Sequence, residues 1–149
     1  MRSTTLIVSI VFAFLAPVGG TIAAQAAEGA ILAPEQLSWA PAQGLPPGAQ
    51  VAVLSGDPSK SGAFVVRFKF PAGYEVPTHS HPTDELLTII SGKARMAFGE
   101  KADAVHAKPL VAAAFTTLPA GAWHRLWVDE ETVIELHSSG PFDVTVAKQ

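Results

Sequence analysis

The sequence has no cysteine, which excludes disulfide frameworks, thiol nucleophiles, thiolate metal sites and iron–sulfur clusters together. Charge is sparse, with Asp, Glu, Lys and Arg at 15% of 149 residues and a formal net charge of −3. Without a Lys/Arg cluster there is no electrostatic footprint for nucleic acid, whose phosphates need concentrated positive charge. A membrane-spanning helix needs about 20 apolar residues. The run from Leu6 to Leu15, broken only by Ser9, falls well short of that. Amphipathic helical periodicity, internal repeats, a phosphate loop, a Ser–His–Asp pattern and paired catalytic carboxylates are also missing.

What is present divides into three stretches. Arg2, the short apolar run and the small residues of Ala24-Gln25-Ala26 read as a signal peptide over 1–26, cleaved after Ala26. No twin-Arg pair precedes the run, so the expectation is export of an unfolded chain to the periplasm or medium, with no membrane attachment after cleavage. Residues 27–50 carry Pro34, Pro41, Pro46 and Pro47 around one apolar knot, Leu37 to Trp39. They read as an arm laid over the domain or as a leader without fixed structure. The domain itself is expected over 51–149.

Within that domain, short apolar runs alternate with turn residues. Candidate strands are Val51 to Ser55, Ala63 to Phe70, Leu86 to Ile90, Ala94 to Phe98, Ala104 to Ala107, Ala113 to Leu118, Arg125 to Val128, Thr132 to His137 and Phe142 to Val146. Ala63 to Phe70 alternates cleanly, with Phe64, Val66, Phe68 and Phe70 on one face. Ser91-Gly92-Lys93 reads as a hairpin turn. Short strands about ten residues apart, with no amphipathic helix, give an all-β sandwich or barrel.

The histidines are not scattered. His79 and His81 lie two apart and share a face if the segment is extended. Glu85 follows Pro82, which favours a bend, and His124 follows the tight-turn signal Pro119-Ala120-Gly121. A closing barrel would bring these groups together. Three imidazole nitrogens and one carboxylate oxygen suit one divalent transition metal, with positions left for water or substrate. Taken singly, each of these histidines reads as a surface or satisfied core residue before it reads as a ligand.

The spacing Gly73, His79, His81, Glu85, Gly92 resembles the first motif of the cupin superfamily at every defined position. The second motif is matched in part by Pro119-x-Gly121 and His124, and departs from the pattern at Ala113 and Val128. Gly56-Asp57-Pro58, Pro71-Ala72-Gly73 and Gly140-Pro141-Phe142 are similar to a group of small exported cupins. The resemblance implies a double-stranded β-helix (jelly roll), and it implies His79, His81, Glu85 and His124 as ligands of one Fe, Mn, Ni, Cu or Zn ion. It names no reaction, because the fold hosts oxygenases, isomerases, lyases, sugar binders and sensors.

The two-residue period places Leu87 and Ile89 beside Glu85, and Leu126 and Val128 beside His124, so an apolar inner wall is expected. Asp84, His106 and His137 read as surface residues, and Tyr74 as a packed rim aromatic or a proton donor. Arg67, Lys69 and Arg95 read as anion clamps or solvated strand residues, and Trp39, Trp123 and Trp127 as core or interface. Two functions compete: a metal-dependent enzyme of oxygenase or Lewis-acid type acting on a small molecule, and a binding or sensing module without turnover. The expected partners are a small-molecule ligand and a second copy of the chain in a homodimer, with no nucleic acid.

Overall fold

The structure, a computed structural model, describes residues 29–148. The signal peptide expected over 1–26, with cleavage after Ala26, lies outside the described residues. From Ile31 onward the chain forms one compact unit. After a single 3-10 turn at Pro34–Gln36 come β1 (Ala40–Pro41), β2 (Gln50–Ser55), β3 (Gly62–Phe70), β4 (Glu75–Ser80), β5 (Glu85–Ser91) and β6 (Lys93–Phe98). They are followed by β7 (Lys108–Val111), β8 (Phe115–Leu118), β9 (His124–Val128), β10 (Thr132–Gly140) and β11 (Thr145–Val146).

Two antiparallel sheets result. One runs β1-β2-β3-β10-β5-β8 and the other β11-β4-β9-β6-β7. From β3 to β11 every connection except β6–β7 carries the chain from one sheet to the other. This alternation between two antiparallel sheets is that of a double-stranded β-helix. The longest register joins β3 to β10, from Phe70 opposite Thr132 to Gly62 opposite Gly140. Phe64, Val66 and Phe70 of β3 are buried, as are Ile134 and Leu136 of β10, so period-2 alternation turns one face of this sheet inward. Leu87 and Ile89 face the same core, together with Leu126 and Val128 from the other sheet.

Three local expectations are corrected. Ser91-Gly92-Lys93 is not a hairpin, because β5 and β6 belong to different sheets. Gly92 (φ +85°) turns a corner where an added Cβ would lie 2.2 Å from the Glu131 carbonyl oxygen and 2.5 Å from Thr132 Oγ1. Glycine is needed there for close backbone approach, not for a two-residue turn. Ala104 to Ala107 is a loop, and the strand begins afterwards at Lys108. Phe142 to Val146 is strand only at Thr145–Val146, and Phe142 lies in the crossing between the sheets.

Segment 41–50 runs between β1 and β2. Ala40 pairs with Val51 and Pro41 with Gln50, and the Ala42 N–H donates to the Ala49 carbonyl at 3.0 Å. Tyr74, buried, donates its hydroxyl to the Pro46 carbonyl and so tethers the segment to the β3–β4 turn.

Candidate metal centre

The two nearest imidazoles come from neighbouring strands. His79 of β4 sits directly opposite His124, the first residue of β9. In a regular strand Val76 and His79, three apart, would face opposite sides of the sheet, yet both are buried. A register shift between them resolves the conflict. Pro77 sits inside that irregularity, where a residue with no N–H costs the ladder nothing. The shift turns His79 inward. His81, one residue beyond β4, is buried as well.

Each ring is oriented by one backbone carbonyl. His79 Nδ1 donates to Pro77 O at 2.7 Å, His124 Nδ1 to Ala122 O at 2.9 Å, and His81 Nδ1 to Asp143 O at 2.8 Å. With Nδ1 committed as donor, Nε2 of each neutral ring keeps a free lone pair. One nitrogen from each of the three rings lies within 4.8 Å of the others. Burial lowers the pKa of all three, to about 4 for His81 and His124, so the rings are neutral at physiological pH. Metal-binding imidazoles characteristically show this pattern of a fixed tautomer, an oriented ring and an unprotonated donor.

Glu85 opens β5 in the opposite sheet and is 2% exposed, and its Oε1 lies 3.4 Å from His81 Nε2. Burial raises its pKa to about 8. A cation nearby would reverse that shift, because an adjacent positive charge favours the carboxylate. The three imidazoles form the mutually close cluster, and Glu85 stands beside His81 at its edge. The donor set of three neutral nitrogens with an adjoining carboxylate fits a divalent transition ion.

All four groups line a cavity of about 330 Å³. Among the described residues the rest of its wall is apolar, dominated by Phe64, Phe68, Phe70, Leu136 and Phe142, and the one further polar side chain is Gln43, from the β1–β2 segment. Sequence reasoning missed the contribution of that segment, because nothing in its Pro-rich composition points to the cavity. The three cations read as anion clamps are engaged elsewhere. Arg67 pairs with Glu135 at 2.8 Å and Arg95 with Asp129 at 2.9 Å, while Lys69 lies 4.4 Å from the centre of the Trp39 ring. None of them lines the cavity, so the anion-clamp reading finds no support. Tyr74 also stands outside it.

Exposed Asp84 nevertheless contributes, since its Oδ1 accepts the Ala120 N–H at 2.8 Å and ties the turn before His124 to the strand of Glu85. The Gly121 N–H donates to His81 O at 2.8 Å and closes the same junction. His106 pairs with Asp103 and His137 with Glu135, both away from the cluster. Trp127 is buried against Ala97 and Ala102. The two departures from the second motif also find their places. Val128 is a core residue, and Ala113 adopts φ +68°, the left-handed conformation that favours glycine.

Residues 27–143 match the family model described as the ChrR cupin-like domain. Among solved structures, KdgF from Halomonas sp. is 20% identical, with 76% of this chain and 96% of that one covered and a TM-score of 0.59. A sugar phosphate isomerase of the cupin superfamily from Silicibacter pomeroyi is 14% identical over 80% and 83% of the two chains, with a TM-score of 0.64. An uncharacterized conserved protein with a double-stranded β-helix domain from Klebsiella pneumoniae is 20% identical over 82% and 100%, with a TM-score of 0.61. These likenesses establish the fold alone. No curated protein sequence matches.

Proposed function

This chain belongs to the family of ChrR cupin-like domains within the cupin superfamily, and on that premise we propose that it is a mononuclear metal protein acting on a small, mostly apolar molecule. The reading is carried by one observation, that His79, His81 and His124 each direct Nδ1 to a backbone carbonyl and so leave Nε2 for a metal. These three residues would hold the ion, with Glu85 as fourth donor. When bound, a divalent ion would supply Lewis acidity or oxygen activation to a substrate held in the cavity.

The chain's own residues set the substrate class. Phe64, Phe68 and Phe142 exclude water and pack an apolar body, and Glu85 provides a carboxyl that holds its proton to about pH 8 before any ion binds. No Lys or Arg lines the cavity among the described residues, so a phosphate would find no cationic side chain there. The sugar phosphate named for the Silicibacter neighbour therefore suits this wall poorly.

A second reading, a binding or sensing module without turnover, is favoured by the shortage of polar groups. Beyond the four central residues, Gln43 is the one polar side chain lining the cavity among the described residues. The first experiment is elemental analysis of protein taken from its native compartment, alongside Glu85→Ala. About one transition metal per chain, depleted in the variant, supports the centre. Fe or Mn together with substrate-dependent oxygen uptake favours the enzyme, whereas a co-purifying apolar ligand released unchanged favours the module. Absence of metal from both samples would remove the metal reading.

The proposal extends to location and assembly, namely export with cleavage after Ala26 and pairing as a homodimer. N-terminal sequencing of the exported protein should begin at Ala27, and light scattering should give twice the chain mass.

A further inference from the structure

Two glycine-led segments far apart in sequence, Gly56-Asp57-Pro58 and Gly140-Pro141-Phe142, meet in the structure, and neither contains a residue of the proposed metal set. The first turn is locked internally. Asp57 accepts from the Ser59 N–H at 3.0 Å and from the Ser59 hydroxyl at 2.7 Å, and pairs with Lys60 at 2.7 Å. It is also pressed onto β3, since a Cβ on Gly56 would lie 2.3 Å from Ala63 O and 2.8 Å from Phe64 Cα. This fixes the position of the Pro58 carbonyl, which accepts the Phe142 N–H at 2.9 Å. Gly140 permits the approach, because a Cβ there would lie 2.3 Å from Lys60 O and 2.7 Å from Pro58 O.

What the contact delivers is Phe142. Its ring lies parallel to that of His81, with centroids 4.2 Å apart and planes 12° apart, and Phe64 packs edge-on against it at 5.2 Å. The next residue, Asp143, supplies the carbonyl that receives His81 Nδ1. The other two imidazoles need no such help, for each uses the carbonyl two residues before it in its own strand entry, Pro77 for His79 and Ala122 for His124. His81 alone is oriented by a partner 62 positions away.

We propose that Gly56–Lys60 and Gly140–Asp143 form a clasp whose role is to set the ring plane and tautomer of His81, with Phe142 as its positioning residue. The proposal rests on the metal reading for its purpose, while the orientation it describes is a property of the metal-free chain.

The test separates the two. Nitrogen-15-labelled histidine spectra of metal-free protein at neutral pH report each ring's tautomer, and competition against a chromophoric chelator gives zinc affinity. Wild-type His81 should show a single Nδ1–H form. Phe142→Ala and Gly140→Ala should give mixed tautomers at His81 only, leaving His79 and His124 unchanged, and should weaken zinc binding by about 10-fold, the lower end of the effect of losing an outer partner. Phe142→Tyr keeps the ring and should restore both readouts. Phe115→Ala removes an exposed phenyl ring that does not line the cavity and should change neither readout. An unchanged His81 tautomer in folded Phe142→Ala, or equal disturbance of all three histidines, would overturn the clasp. Zinc failing to bind wild-type protein would overturn the metal reading, and the tautomer spectra would still decide the clasp.

Discussion

The two sheets face one cavity but are built by different rules. The six-stranded sheet contributes an apolar wall along the continuous β3–β10 register, with Phe64, Val66, Ile134 and Leu136 all inward by the two-residue period, and its register shifts fall where β10 meets β5 and β2 meets β3. The five-stranded sheet contributes the imidazoles through irregularities: a register shift that turns His79 inward, a residue just past the end of β4 for His81, and a turn-borne strand start for His124. Regular strands make a surface to pack against, whereas convergent lone pairs require breaks in the ladder that re-aim individual side chains. Both sheets therefore feed the core, but the imidazoles all come from the five-stranded side, with Glu85 the one such group contributed by the other sheet.

That division can be broken by a double dissociation. His124→Ala should reduce metal affinity by more than the roughly 10–100-fold that losing an outer hydrogen-bond partner costs, while a folded barrel remains by circular dichroism. Ile89→Ala, in the six-stranded sheet, should destabilise the protein by about 3 kcal/mol in denaturant titrations, because Ile89 is 1% exposed in the core and truncation leaves a cavity. Its metal stoichiometry should stay at the wild-type value. If Ile89→Ala releases the metal, or His124→Ala unfolds the chain, the assignment of roles to the sheets fails.

A second, smaller effect concerns Glu85. The buried imidazoles titrate below their unfolded values, so the unfolded chain binds more protons below about pH 6.5 and stability is lost as pH falls from there. Glu85 works in the opposite direction. Its folded pKa of about 8 lies above the unfolded value, so stability is lost as pH rises towards 8. Several imidazoles outweigh one carboxyl on the acid side, which places the maximum for metal-free protein near pH 6.5. Thermal melts across pH 5–9 should show that maximum, and Glu85→Gln should flatten the alkaline limb while making the acid limb steeper, because the carboxyl no longer offsets the imidazoles there. A limb unchanged in Glu85→Gln would assign the alkaline loss to another group.

How much of this could be read beforehand follows the same division. The alternating strands, the inward set beside Glu85 and the all-β class were legible because period 2 survives in sequence. The three clustered histidines and the adjoining Glu85 were legible as a spacing, Gly73 to Gly92 with His124 after its turn. What was hidden depends on tertiary placement. No local signal shows that Gly92 turns between sheets instead of within one, because a glycine corner and a hairpin glycine read alike until the strand partners are known. Nothing near Gln43 or Phe142 shows that both line the cavity, since each arrives on a connection whose path is fixed by distant contacts. The β4 irregularity was equally invisible, although Pro77 marks it in retrospect.

Ala113 gives the finest test of how these crossings are made. It lies between β7 of one sheet and β8 of the other, donates its N–H to Ile89 O at 2.8 Å, and is the one non-glycine with positive φ among the described residues. The second cupin motif carries glycine at this position. Left-handed backbone costs an L-residue about 1–2 kcal/mol, and glycine's greater unfolded-state entropy takes back roughly 0.5–1 kcal/mol. Ala113→Gly should therefore raise stability by about 0.5–1 kcal/mol, seen as a melting temperature a few degrees higher, with metal content and affinity unchanged. A loss of stability would mean that the Ala113 methyl contributes packing worth more than the strain it carries. The crossing would then be held by its side chain, unlike the crossing at Gly92, where no side chain fits.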